Sequence, residues 1–305
     1  MVAGARGLVG SAIIRRLQTL GYDHVLPVDR TKADLTEQAD VRRLFERERP
    51  EYVFLAAAKV GGIMANKTLK ADFICNNLAI QSNVIETAWK TGVQKLLFLG
   101  SSCIYPKNCP QPMREEYLLT GPLEETNDAY AIAKIAGIKM CQSFNEQYGT
   151  HFISVMPTNL YGPNDNFDLE TSHVFPAMIR KFYDANKQGD AEVALWGTGS
   201  PRREFLHVDD LADAVIHLLN VYDGSDIVNI GTGEDVTIRE LAETIRAAVG
   251  YKGALVWDAS KPDGTPRKLL DVSRLHQLGW NHRINLEQGI RSTIEWYAEN
   301  TRVLV

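Results

Sequence analysis

The chain of 305 residues has no run of about 18 consecutive apolar residues, so no membrane-spanning helix is expected. Its first residues, Met1-Val2-Ala3-Gly4, show neither the charged start nor the apolar core of a signal peptide. Cysteine is scarce: Cys75, Cys103, Cys109 and Cys141 form no C-x-x-C pair and no zinc-finger spacing, which excludes a disulfide scaffold and leaves no metal expected. Reduced thiols in a cytoplasmic protein are the simplest reading. A basic surplus is missing as well. Lys plus Arg number 33 against 38 Asp plus Glu, a net charge of −5, which argues against a general nucleic-acid binder but leaves room for a local cationic pocket. There are no repeats and no low-complexity linker.

What remains is ordinary globular material, 45% hydrophobic and 23% charged. The length is about twice the common ~150-residue domain, so one large or two interlocked domains are expected, with enough core to need no staples. Short apolar runs at 25–28, 52–56, 95–99 and 152–156 read as strands buried on both faces. Between them, residues 9–20, 37–47, 71–92 and 128–148 carry apolar side chains at helical spacing. This alternation predicts βαβ units and an α/β fold with a doubly wound parallel (Rossmann) sheet. After about residue 162 the pattern loosens into a smaller, interleaved α/β lobe. There, residues 227–230 read as a strand, 174–187 as a helix, 237–249 as a helix with a Thr237–Glu240 capping box, and 286–299 as a last amphipathic helix. A first parallel strand normally takes about five residues. Only Met1, Val2 and Ala3 precede the first glycine, so either residues are missing ahead of Met1 or the chain begins inside the strand.

Gly4-Ala5-Arg6-Gly7-Leu8-Val9-Gly10 places three glycines where that strand would turn into the first helix. Gly4 makes the tight turn, Gly7 lets backbone approach a pyrophosphate, and Gly10 lets helix pack on sheet, which points the helix N–H groups at an anion. The second strand ends at Asp29-Arg30. An acid there suits the ribose 2′-hydroxyl of NAD, whereas Arg30 and Arg6 suit the 2′-phosphate of NADP. Two guanidiniums beside one phosphate favour NADP, with Asp29 pointing away; the plainer reading of Arg30 is a solvated loop arginine.

Tyr130 and Lys134 stand at i and i+4, on one helix face, where an ammonium would lower the pKa of a phenol. Ser101, just after the strand ending at Leu99, could hydrogen-bond the same carbonyl oxygen that Tyr130 protonates. The joint pattern of glycine turn, serine after a later strand and Y-x-x-x-K resembles the extended short-chain dehydrogenase/reductase superfamily. So do Leu55-Ala56-Ala57-Ala58, Asn159-Leu160-Tyr161-Gly162-Pro163 and Arg203-Glu204-Phe205-Leu206-His207-Val208-Asp209-Asp210. Within the superfamily, Ala57-Ala58-Lys59-Val60-Gly61-Gly62-Ile63, Gly100-Ser101-Ser102-Cys103-Ile104-Tyr105-Pro106-Lys107 and Lys261-Pro262-Asp263-Gly264-Thr265-Pro266-Arg267-Lys268 resemble the GDP-4-keto-6-deoxy-D-mannose 3,5-epimerase/4-reductases.

That resemblance implies NADPH, a GDP-sugar substrate and a homodimer formed through a four-helix bundle of the helices at 71–92 and 128–148. It implies a dinucleotide-binding domain over 1–161 plus about 205–230, and a nucleotide-sugar-binding domain over about 162–204 plus 231–305. Catalysis would fall to Ser101, Cys103, Tyr130, Lys134 and His173, with Cys103 and His173 as the acid–base couple that inverts C3 and C5. Cofactor contacts would come from Gly4, Ala5, Arg6, Gly7, Leu8, Val9 and Gly10; from Arg30, Asp34 and Leu35; from Leu99, Gly100, Ser101, Ser102 and Lys134; and from Pro157, Thr158, Asn159, Leu160 and His173. Lys181, Arg203 and Lys268 would meet the diphosphate, and Asn159, Trp196 and Asp263 the rest of the GDP-sugar. Without the resemblance, Cys103 reads as a small buried hydrophobe and His173 as an N-terminal helix residue. Cys75, Cys109 and Cys141 read as structural.

Three rivals stand beside this reading. A 4,6-dehydratase of the superfamily would carry an Asp-Glu pair where Cys103-Ile104 stands. A simple 4-epimerase would have no use for the Cys103–His173 couple, and the alternative kept beside the main reading is another NAD(P)-dependent epimerase/reductase of nucleotide sugars. A non-enzymatic dinucleotide sensor predicts a degraded Ser/Tyr/Lys set, which is intact here.

Overall fold

A computed structural model describes residues 1–261 and 263–300. Pro262 and the end of the expected second domain, 301–305, lie outside the described residues. Six strands form one parallel sheet: β1 (Val2–Ala3), β2 (Pro27–Val28), β3 (Tyr52–Leu55), β4 (Lys95–Leu99), β5 (Phe152–Pro157) and β10 (Val228–Ile230), in the order β10-β5-β4-β3-β1-β2. Side chains of successive strand residues point to opposite faces, and the core divides accordingly. Val53, Leu55, Leu96 and Phe98 face one way, and Phe54, Leu97 and Leu99 the other. The first face is covered by α2 (Gln38–Glu48), α4 (Lys70–Lys90) and α5 (Asp128–Tyr148), through Leu44, Phe45, Val84, Ile85 and Ile138. The second is covered by α1 (Leu8–Thr19) and α7 (Val208–Val221), through Ile13, Leu17, Leu211 and Val215. Each fully buried aliphatic side chain contributes about 1.5–3 kcal/mol. These two layers are what fix the sheet.

From β1 the chain winds first to β2 on one side and then to β3 on the other, so the switch point lies between β1 and β3. In such sheets ligands bind outside the carboxyl ends of the strands at that crevice.

Smaller pairings follow β5. Strand β6 (Asn159–Tyr161) runs parallel to β9 (Phe205–His207), and β7 (Glu192–Trp196) to β12 (Ala254–Asp258). Strand β8 (Arg202–Arg203) lies between β11 (Val236–Thr237) and β13 (Arg267–Lys268). With α6 (Val174–Gln188), α8 (Ile238–Val249) and α10 (Leu286–Asn300) these build a third core around Phe175, Phe182, Leu195, Leu241 and Ile290. The Thr237–Glu240 capping box at the start of α8 is present. The short helices α3 (Ile63–Thr68) and α9 (Ser273–Gln277) complete the chain. The segment from Leu270 to Trp280, expected with the second lobe, packs back onto the large sheet: Leu270 and Val272 join its first core, Leu275 and Trp280 its second.

Candidate active site

Turn β1–α1 is shaped by what its glycines lack. Gly4 has φ +87°, and a Cβ on Gly10 would stand 2.1 Å from the Gly4 carbonyl oxygen, so α1 starts flush against the turn. Only the Gly4 carbonyl, at 3.5 Å, lies near a Cβ built on Gly7, and the first turn of α1 holds no acidic residue. An open backbone cradle at a helix N-terminus without a competing carboxylate fits a pyrophosphate. The other residues expected around the dinucleotide sit at the same carboxyl edge. Leu99 ends β4 and Gly100, Ser101 and Ser102 follow it, Pro157 closes β5, and Thr158, Asn159 and Leu160 lead into and along β6. Arg30, Asp34 and Leu35 follow β2, with Arg30 exposed and Leu35 buried.

Asp29 does not point away as expected. Its carboxylate meets Arg6 Nε at 2.5 Å and accepts from the backbone N–H and hydroxyl of Thr31. Two polar donors in a short turn and a guanidinium across it leave this acid no reason to face solvent.

Four expected catalytic residues converge after β4. Ser101 starts a short 3₁₀ turn (Ser102–Ile104), where its hydroxyl accepts from the Cys103 N–H at 3.4 Å. The same hydroxyl neighbours both the Tyr130 phenol and the Cys103 thiol and favours the ionised form of each. Tyr105 pins the loop beyond: its buried hydroxyl donates to Asn229 Oδ1 at 2.6 Å, and Asn229 Nδ2 donates to the Met113 carbonyl at 3.0 Å. Helix α5 brings in Tyr130 and Lys134 one turn apart. Lys134 Nζ donates to the Leu99 carbonyl at 2.6 Å and stands 5.7 Å from the centre of the Tyr130 ring.

The expected lowering of the phenol pKa by Lys134 is not what this arrangement gives. Burial pushes the Tyr130 phenol up, and a thiolate at Cys103 would push it the same way. Burial also pulls the Lys134 ammonium down to about 8. Desolvation is the largest cause for both groups, and Nζ is committed to the Leu99 carbonyl. Burial raises the Cys103 thiol too, against the pull of Ser101, Lys268 and Lys134.

His173 enters from another element, as the residue before the first turn of α6. The Gly62 N–H donates to the Thr171 carbonyl at 3.0 Å and so ties the loop after β3 to this segment. The imidazole lies at an exposed position and makes no side-chain hydrogen bond among the described residues, and the protein around it lowers its pKa.

The expected cations divide into two settings. Lys268 lines a narrow crevice with Cys103, Thr265, Lys107 and Glu124, where burial lowers its pKa and the Cys103 charge opposes that. Arg203, half-buried beside Asp263, donates to the Arg202 carbonyl at 2.8 Å, and its pKa is lowered by burial. Lys181 stands further out on α6 and donates to the Ala194 carbonyl at 3.0 Å. Asp263 accepts from the Thr198 N–H and hydroxyl at 2.7 and 2.8 Å. Trp196 is 58% exposed, with Lys261 over its ring at 5.6 Å. An indole left that open is available to stack on a planar ring. Asn159 Nδ2 donates to the Glu204 carbonyl at 2.8 Å.

The expected site residues did not include Glu204, Thr265 or Glu124. Glu204 has no exposed surface. Its carboxylate accepts from the N–H groups of Thr232, Gly233 and Leu270 at 2.7, 2.8 and 3.0 Å. A lone acid leading into the apolar pair Phe205-Leu206 was the available signal for it. Thr265 and Glu124 carry no such mark.

The model of the NAD dependent epimerase/dehydratase family matches residues 1–231. A probable GDP-L-fucose synthase 1 of Oryza sativa subsp. japonica is 60% identical over 300 residues, covering 98% of this chain and 92% of that protein. The GDP-L-fucose synthase of Escherichia coli (strain K12) is 56% identical over 308 residues, covering 98% and 96%. Among solved structures, a GDP-L-fucose synthetase of Naegleria fowleri bound to NADP is similar with a TM-score of 0.93 at 30% identity, covering 99% of this chain and 94% of that one.

Proposed function

The chain belongs to the NAD dependent epimerase/dehydratase family, and from that premise we propose that it converts GDP-4-keto-6-deoxy-D-mannose to GDP-L-fucose, as a 3,5-epimerase and NADPH-dependent 4-reductase. The observation that carries this reading is the meeting of Ser101 and Cys103, joined through the Cys103 N–H, with Tyr130 and Lys134 at the end of β4, and with Lys268 lining the same crevice as Cys103. When bound, NADPH supplies the hydride for the 4-keto carbon. Tyr130, held protonated by burial, gives its proton to the carbonyl oxygen, and Ser101 hydrogen-bonds that oxygen. Lys134 holds the strand end at Leu99 and lends positive charge beneath the ring.

A 4-keto group acidifies the protons at C3 and C5, since the carbonyl oxygen can hold enolate charge. Cys103 and His173 exchange those protons. One brings a thiol and the other an imidazole, and inversion at a carbon requires them on its opposite faces, one as base and the other as acid. Lys181, Arg203 and Lys268 offset the diphosphate charge, while Asn159, Trp196 and Asp263 meet the remainder of the GDP-sugar.

The dinucleotide domain takes 1–161 plus about 205–230, and the sugar-nucleotide domain about 162–204 plus 231–305, with the segment from Leu270 to Trp280 reaching back to the first. The working form is a cytoplasmic homodimer built on α4 and α5. The tight packing of these two helices and the 47% exposure of Ile132 on α5 support that assembly, and four free cysteines support the compartment.

Purified protein given NADPH and the 4-keto GDP-sugar is expected to consume nicotinamide absorbance, and to do so with neither alone. Cys103→Ser should slow solvent exchange at C3 and C5 by about 100-fold while NADPH affinity changes by less than roughly twofold. Unchanged exchange would reject the acid–base role of the thiol.

A further inference from the structure

Four cations stand abreast where β8 meets β13, on a ladder two residues long. Strand β8 carries Arg202 and Arg203, β13 carries Arg267 and Lys268, and the parallel register sets Arg202 opposite Arg267 and Arg203 opposite Lys268. Neighbouring side chains on a strand point to opposite faces, so each face receives a pair of like charges, which by itself weakens the pairing of the strands. The back of the ladder is neutralised from within. Asp235, the residue before β11, accepts from Arg202 Nε at 2.8 Å and from Arg267 Nε at 2.5 Å, one on each carboxylate oxygen, and its carbonyl accepts from the Arg202 guanidinium at 2.8 Å. The Asp235 side chain is 4% exposed, against 41% and 44% for the two arginines. Burial works against its charge, but the hydrogen bonds from Arg267 and Arg202 outweigh it and hold the carboxyl below its usual range.

The front is left open. Among the described residues neither Arg203 nor Lys268 makes an ion pair, although Asp263 and Glu124 act on them from further off, and Arg203 opposes the charge on Lys268. Two cations on one rung with no acid between them match a diphosphate, which carries a charge on each of its phosphates. We propose that Asp235 is a positioning residue for the substrate: by clamping Arg202 and Arg267 at the back of the ladder, it holds Arg203 and Lys268 side by side at the front, ready for the two phosphates. This rests on the assignment of those two cations to the diphosphate above, and adds what keeps them together.

The test is displacement of a fluorescent GDP analogue by GDP and by guanosine, on the full chain and on its Asp235→Asn and Arg202→Lys variants, with NADPH affinity as the check on the fold. Asp235→Asn removes a negative charge, so on charge alone it would tighten GDP. Loss of the clamp should instead weaken GDP about tenfold, the scale of one charge-assisted hydrogen bond, while guanosine and NADPH move by less than roughly twofold. Arg202→Lys keeps every charge but gives up the planar fork, and should weaken GDP about threefold with guanosine again unmoved. It decides the matter should Asp235→Asn not fold. GDP bound equally well or better by the deciding variant overturns the inference alone. So does an equal loss for GDP and guanosine, which would make Asp235 plain support for the smaller lobe. If the unaltered protein binds GDP no more tightly than guanosine, the diphosphate reading itself falls, and the inference with it.

Discussion

Lys134 has little exposed surface, and burial draws its ammonium down from about 10.5 to about 8. The unfolded chain therefore binds more protons than the folded one between those values, and stability rises with pH across that window. Below about pH 8 the desolvation cost is fully present; near pH 10.5 it has gone. Lys134→Met is expected to stabilise the cofactor-free protein by about 1–3 kcal/mol at pH 7, less whatever the bond to the Leu99 carbonyl returned. The gain should shrink steadily above pH 8. Thermal unfolding of both proteins at pH 6, 8 and 9.5 checks this, and a gain independent of pH would mean that the buried charge is not its source. The spacing of Tyr130 and Lys134 was legible in the sequence because i and i+4 on a helix leaves one geometry. The direction of the phenol shift was not. It depends on how much protein surrounds the pair, and nothing local to Y-x-x-x-K records that.

At the scale of elements, the tightest fit is the turn from β1 to α1. Gly10→Ala would drive a methyl into the Gly4 carbonyl at 2.1 Å, with backbone on both sides of the clash. Either α1 tilts off the sheet or the cradle opens. NADPH affinity is expected to fall by about 100-fold or more, with destabilisation of about 1–3 kcal/mol from overpacking. Calorimetric titration and a melting curve measure the two separately, and retained affinity would show that helix and turn are not so closely packed. Helix α5 was read from sequence with the same ends it has in the structure. Its apolar periodicity is unbroken, and Gly149 stops it at φ +66°. The second strand was read over 25–28 but spans only Pro27–Val28. It is an edge strand whose sole neighbour, β1, is itself two residues long, and Pro27 offers no N–H to a ladder. The pairing of β6 with β9 went unread for another reason. Three-residue strands some 45 positions apart carry too little pattern to announce a partner.

For the whole molecule the question is what keeps the two halves of the site in register, since the dinucleotide cradle belongs to the large sheet and Arg203 and Lys268 to β8 and β13. Glu204 answers it. One oxygen of its carboxylate holds the turn after β10 through Thr232 and Gly233, and the other holds Leu270, two residues beyond Lys268. Its own N–H donates to the Lys268 carbonyl at 3.3 Å, and its carbonyl takes Asn159. A carboxylate is acceptor-only and satisfies all three backbone donors. An amide has one acceptor oxygen, and its nitrogen would be turned towards N–H groups that cannot receive it. Glu204→Gln is therefore expected to cost about 2–4 kcal/mol, the range for stranding buried polar partners. The loss should not fall evenly on function. The glycine turn of the cradle does not touch this side chain, whose one partner among the expected cofactor contacts is Thr158, whereas the segment carrying Lys268 is tied by it. At a temperature where the variant is fully folded, KM for the GDP-sugar should rise about tenfold while that for NADPH moves by less than roughly twofold. Equal losses for both would make Glu204 plain structural support. No loss for either, with an unchanged melting temperature, would mean that the segment bearing Lys268 finds its place without this carboxylate.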